Sequence, residues 1–294
     1  MSVFTYYFRI LTSFLCASCL FHVSVFSEDP NAGETNISRS ADYNRSLPFE
    51  EVRVIDLPRG YHEGLMMDGD NVWVNNGEGL DTWIIDKRDG RVVSSVTPAA
   101  SFSEGITPAG GGKYWFTDWS SRRLYLVSVS NGRMVPEREI NMAPSRPTGV
   151  VWTGKDLYVI TWTRGWGTKY HLLKIDTDGR VISKMRLEDI PEPSQIAWDG
   201  KNLWVTSWYT DRVYKIDESQ MVIMGSFRPG IRKTTGIAWD RGHLWVTGTH
   251  SGLVELAPGA DEGGADEGGA GPADGAVGAG PADGIPADRA GQRG

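Results

Sequence analysis

The stretch Gln195-Ile196-Ala197-Trp198-Asp199-Gly200-Lys201-Asn202-Leu203-Trp204-Val205 returns 41 residues later as Gly236-Ile237-Ala238-Trp239-Asp240-Arg241-Gly242-His243-Leu244-Trp245-Val246. An apolar run, a tight polar turn and a second apolar run read as a β-hairpin. Working outward, the same unit recurs as Glu63-Gly64-Leu65 with Val72-Trp73-Val74, as Glu104-Gly105-Ile106 with Tyr114-Trp115-Phe116, and as Thr148-Gly149-Val150 with Leu157-Tyr158-Val159. The anchor positions 64, 105, 149, 195 and 236 are spaced by 41, 44, 46 and 41 residues. A period in the forties built from short strands is the mark of propeller blades. Third strands follow at Arg123–Ser128, Leu172–Asp176 and Arg212–Asp217, and fourth strands at Arg91–Thr97, Glu137–Met142, Val181–Leu187 and Val222–Phe227. The fifth unit stops after its third strand, Gly252–Leu256, while an unassigned strand, residues 51–57, precedes the first. The fold expected is all-β: a five-bladed β-propeller whose ring closes when strand 51–57 joins the last blade and covers its edge.

The repeated Trp73, Trp115, Tyr158, Trp204 and Trp245 are expected to pack between blades, because recurrence in every copy is what packing demands. Composition agrees: of 294 residues, 36 are Gly and 12 are Trp, which favours strands and turns over helices. Net charge is −7, so the basic footprint of a nucleic-acid binder is absent. Most of the acidity belongs to residues 258–294, where seven carboxylates face only Arg289 and Arg293.

Four segments are expected. Residues 1–27 read as an export signal: Arg9 precedes the uncharged, mostly apolar run Ile10 to Phe26. That places the protein outside the cytoplasm, secreted or periplasmic, with an uncleaved membrane tether through residues 10–26 as the alternative. Both cysteines, Cys16 and Cys19, fall inside this segment, so a cleaved product holds no disulfide. Residues 28–49 read as a polar linker, residues 50–257 as the propeller, and residues 258–294, with their Gly-Ala-Asp-Pro words, as a disordered tail. No partner chain is implied, and a monomer is expected.

Propeller function sits at one mouth of the central channel, where the copies should differ. Before the anchor they read Tyr61-His62-Glu63, Phe102-Ser103-Glu104, Arg146-Pro147-Thr148, Pro193-Ser194-Gln195 (shifted by one, so that it includes the anchor) and Lys233-Thr234-Thr235. Four residues beyond the second-strand aromatic stand Gly77, Trp119, Trp162, Trp208 and Thr249. Three tryptophans at this exit point to an aromatic cavity, and an aromatic wall around a carboxyl is a means of raising its pKa into the acid–base range. His62 and His250 read as solvated, and five scattered histidines without ligand spacing give no support for a histidine-bound metal.

The pattern resembles the plant-type glutaminyl-peptide cyclotransferases over roughly residues 50–257. The likeness rests on the five units, on Phe102-Ser103-Glu104-Gly105-Ile106-Thr107, on Trp119 and Trp208 at blade exits, and on Gly236-Ile237-Ala238-Trp239-Asp240 with Val246-Thr247-Gly248. The resemblance implies a cofactor-free five-bladed propeller that turns an N-terminal Gln of a peptide or protein into pyroglutamate and releases ammonia. It implies Glu104 as the proton shuttle, with Phe102, Trp119 and Trp208 as walls and Glu63, Trp162 and Thr249 at the remaining substrate-facing positions. Four positions depart from the family pattern: Thr249 stands for a Lys, Ser194-Gln195 for an Asn-Glu pair, Glu63 for a Gln and Pro147 for a Trp. Two further readings compete. One is a non-catalytic binding or scaffold propeller. The other is a lactonase-like hydrolase holding a divalent ion on Glu63, Asn76, Glu104 and Asp118.

Overall fold

A computed structural model describes residues 22–25, 35–77, 81–165 and 167–259. The expected export segment and tail lie almost wholly outside them; of the former only His22–Val25 is described, as a strand running parallel to Arg138–Asn141. The described chain is all strand and turn, in five sheets set in a ring, a five-bladed β-propeller. In each blade the innermost strand carries the anchor: His62–Asp68, Ser103–Gly110, Arg146–Trp152, Pro193–Trp198 and Thr234–Asp240. The second strands, antiparallel to these, carry the repeated aromatic.

Those aromatics are buried, and each packs into the blade that follows. Trp73 meets Ile106 and Phe116, Trp115 meets Val150 and Leu157, Tyr158 meets Ile196 and Leu203, Trp204 meets Ile237 and Leu244, and Trp245 meets Leu65 and Val72. The core is therefore five interblade wedges, each filled by one large ring.

The anchor glycines mark where neighbouring inner strands crowd the axis. A Cβ on Gly64 would stand 2.2 Å from the Glu104 carbonyl oxygen, one on Gly236 2.3 Å from that of Glu63, and one on Gly105 2.7 Å from that of Thr148. Backbone lies on both sides, so neither partner can yield. Gly64→Ala is expected to cost about 3 kcal/mol or more, read as a lowered midpoint in urea unfolding; an unchanged midpoint would mean that the inner strands are not in this register.

Closure follows the sequence expectation with a two-residue shift. The closing strand runs over Phe49–Ile55 and pairs antiparallel with Leu253–Pro258. It begins early because the Phe49 ring stacks on Phe227, with centroids 4.2 Å apart, and meets Trp204 edge-on at 5.4 Å. Residues 35–48, read from sequence as a linker, run along the rim of the ring. Thr35–Asn36 adds a fifth strand to blade three and Ser38–Arg39 one to blade four. Ile37 is buried against Met185, Leu187 and Ile223. Leu47 packs on the wedge between blades four and five. The strap thereby covers two outer edges that would otherwise expose unpaired backbone.

Candidate active site

One residue before each anchor, the inner strands place Glu63, Glu104, Thr148, Ser194 and Thr235 in equivalent register. All five line one cavity of about 270 Å³ at the channel mouth. Its walls come from the exit position, where Trp119, Trp162 and Trp208 line it, with Tyr61 and Tyr170 alongside. This volume suits a single amino-acid side chain with its backbone. The sequence-predicted carboxylates and three tryptophans therefore converge on one place.

The same connection repeats around the rim. The exit-position N–H donates to the carbonyl oxygen three residues before the anchor: Gly77 to Tyr61, Trp119 to Phe102, Trp208 to Glu192 and Thr249 to Lys233. In blades three and five the side chain three residues before the anchor also packs on the exit residue of the preceding blade. Arg146 lies over the Trp119 ring at 4.0 Å and donates from Nη1 to the Trp119 carbonyl at 2.9 Å, and Lys233 lies over Trp208 at 4.5 Å. These cation–π contacts stiffen two of the three walls. Trp119 and Trp162 stack with centroids 5.4 Å apart and planes 8° from parallel. The Trp162 indole N–H is buried and has no partner among the described residues.

Phe102 and Thr249 stand one layer behind the lining. Gly77 leaves room for the Phe102 ring, to which a Cβ there would come within 2.9 Å, and Phe102 packs against Tyr61 and Trp119 at 6.2 and 6.0 Å. Thr249 is buried, and its Oγ1 accepts the Trp208 Nε1–H at 3.2 Å, fixing that indole. His62, expected in solvent, is buried. One ring nitrogen bonds the Pro58 carbonyl at 2.8 Å, and the ring meets Trp83 edge-on.

At the floor, Glu63 and Glu104 are both buried and hydrogen-bond to each other. Gln195 Nε2 donates to Glu104 Oε2 at 3.4 Å across the axis. Gln195 occupies the anchor position of blade four, and it fits because Gly105 opposite has no side chain: a Cβ there would lie 3.1 Å from Gln195 Oε1. The Glu104 backbone is held in turn by Asn75, whose Nδ2 donates to the Glu104 carbonyl at 2.8 Å and whose Oδ1 accepts from Thr82. Burial pushes the Glu104 carboxyl up to about 8; the nearby Asp118 charge adds to the rise, and hydrogen bonds from Gln195 and Glu63 oppose it. Burial, then the neighbouring Glu104, also holds Glu63 well above the usual carboxylate range. Desolvation disfavours the ionised form of each acid, and two acids in contact disfavour double ionisation.

Of the other oxygens considered for a divalent ion, both on Asp118 accept backbone N–H groups, from Phe102 and Ser120 at Oδ1 and from Ser101 at Oδ2. Asn76 Oδ1 accepts the Tyr61 N–H. These side chains staple the loops that lead into the inner strands. Sequence reasoning did not single out Tyr61, Tyr170, Glu192 or the reach of Gln195. Tyr170 enters the mouth because blade three's hairpin, Leu157–Gly165 with Gly167–Ile175, is longer than the hairpins of the other blades.

No family model matches this sequence, and no curated protein does. By structure the chain is similar to the glutaminyl cyclase of Myxococcus xanthus, at 14% identity and a TM-score of 0.57, covering 71% of this chain and 95% of that one. The likeness is one of fold. Looser matches include the PQQ-bound aldose sugar dehydrogenase of Streptomyces coelicolor (13% identity, TM-score 0.48, 71% and 98% covered) and a virginiamycin B lyase of Staphylococcus aureus with quinupristin (18%, 0.42, 67% and 66%).

Proposed function

We propose that this chain is an exported glutaminyl-peptide cyclotransferase that closes an N-terminal Gln into pyroglutamate and releases ammonia. The observation carrying this reading is the Glu104 carboxyl, buried at the floor of a tryptophan-walled cavity and raised to about 8. The reaction needs the α-amine to meet its own γ-carbonyl and one proton to travel from the amine to the departing nitrogen. A rigid cavity sized for one residue supplies the first requirement. A carboxyl that loses its proton near the pKa of an α-amine supplies the second.

Glu104 takes the amine proton as the nitrogen attacks, while Trp119, Trp162 and Trp208 hold the flat carboxamide and keep bulk water out. The unspent Trp162 N–H serves as a donor to the carbonyl oxygen as charge builds there. Trp162→Phe is accordingly expected to lower kcat about tenfold or more with little change in KM, measured by ammonia release; a pure KM effect would reduce Trp162 to a packing wall. The deciding experiment incubates the purified protein with a Gln-initiated peptide and follows free ammonia together with the mass of the peptide. Loss of one ammonia from that peptide, and none from an Ala-initiated control, is the expected result. No release above background sets the cyclase reading aside in favour of a binding propeller.

A further inference from the structure

We propose that Glu63 and Glu104 act as one acid–base pair carrying a single proton in its working state, Glu104 receiving the amine proton while Glu63 already holds the proton that leaves with ammonia. This rests on the cyclase reading and assigns Glu63 a chemical role in it. Both side chains line the cavity, both are buried, and they hydrogen-bond directly to each other. A carboxylate has no donor, so a hydrogen bond between two carboxyls requires a proton on one of them.

The groups around the pair favour keeping that proton. Asp118 contributes negative charge and the rim adds Glu192, which disfavour a second ionisation, while the Gln195 donor steadies the ionised form on Glu104 and so leaves the proton on Glu63. Arg146 and Lys233 at the mouth are engaged with the Trp119 and Trp208 rings, and among the described residues no cation contributes to the charge balance of either carboxyl.

The step balances. A bond forms between the α-nitrogen and the γ-carbon, and the bond from that carbon to the amide nitrogen breaks. The α-amine gives one proton to Glu104, and the amide nitrogen departs as ammonia with the proton previously on Glu63. The pair ends with one proton, as it began, and the next cycle starts after that proton shifts between the two carboxyls. A single carboxyl would have to accept the first proton before it could deliver the second.

The test compares Glu63→Gln with the wild type on two substrates, a Gln-initiated peptide and the same peptide carrying an N-terminal Glu γ-phenyl ester, whose phenolate leaves without protonation. The substitution is expected to cost about a hundredfold in kcat on the Gln peptide and less than about threefold on the ester. Equal losses on both would give Glu63 a purely structural role and overturn the proposal. A second measurement does not depend on turnover. In infrared spectra of the wild type taken as pH climbs through 8, a protonated-carboxyl stretch should persist after Glu104 has ionised and should vanish over the same range in Glu63→Gln; its absence from the wild type would overturn the shared proton. A protein that shows this band but releases no ammonia would retain the pair and lose the cyclase reading. One that releases ammonia without the band would do the reverse.

Discussion

Glu104→Gln is expected to slow ammonia release about a thousandfold while leaving peptide affinity within a few-fold. The amide is nearly the same size and still accepts the Gln195 N–H, so the aromatic walls stay where they are. What it cannot do is take the proton from the attacking amine. Because the carboxyl ionises near 8, wild-type kcat/KM should climb with pH through that region, as the base form appears, and the residual rate of the variant should not follow this curve. A variant retaining more than a tenth of the wild-type rate would show that the proton leaves by another route.

The second large effect is on stability. A carboxyl whose pKa rises on folding stabilises the native state fully below its unfolded value, and that stabilisation is lost as pH climbs through its folded value. For Glu104 the window runs from the ordinary carboxyl range up to about 8. Across it the linkage amounts to about 4 to 5 kcal/mol. Wild-type protein should therefore lose thermal stability steadily between pH 5 and 8. Glu104→Gln, matched with the wild type near pH 4.5, should exceed it by on the order of ten degrees at pH 8. The carboxyls whose pKa values are lowered, Asp86, Glu137, Asp217, Glu218 and Glu255, lose their contribution as pH falls and so act at the acid end, outside this window. A Tm that is level from pH 5 to 8 in both proteins would mean that Glu104 is not desolvated.

Blade number and closure were legible because two constraints repeat at fixed register. The axis admits no side chain at Gly64, Gly105, Gly149 and Gly236, and each wedge demands a large ring at Trp73, Trp115, Tyr158, Trp204 and Trp245. The strap was not legible. Ile37 and Leu47 give it too little apolar pattern, and its attachment is largely backbone to strand edge, as where Ile37 N–H donates to Arg186 and Leu47 N–H to Ser226, which leaves no trace in residue type. Within the site, Glu63, Glu104 and the three tryptophans could be found as differences among aligned copies. The contact from Gln195 to Glu104 spans 91 positions and depends on what Gly105 lacks, so it emerges only when opposite sides of the ring are brought together. Phe102 and Thr249 share the register of the rim, yet register does not say whether a side chain faces the hole or the next indole; Gly77 and Trp208 decide that.

The floor positions have one more consequence, for how such a protein changes over evolutionary time. In four blades the glycine that crowds the axis and the residue that lines the cavity are chain neighbours with separate duties; in blade four the anchor, Gln195, reaches the floor as well. A single codon change at 148 or 194 rewrites one of five tiles around the aperture and spares the tile's mortar, whereas Thr235 also donates from Oγ1 to the His62 carbonyl across the last seam. Duplicated genes of this kind can diversify what they recognise by recolouring that mosaic, tile by tile, long before the masonry records that anything has altered.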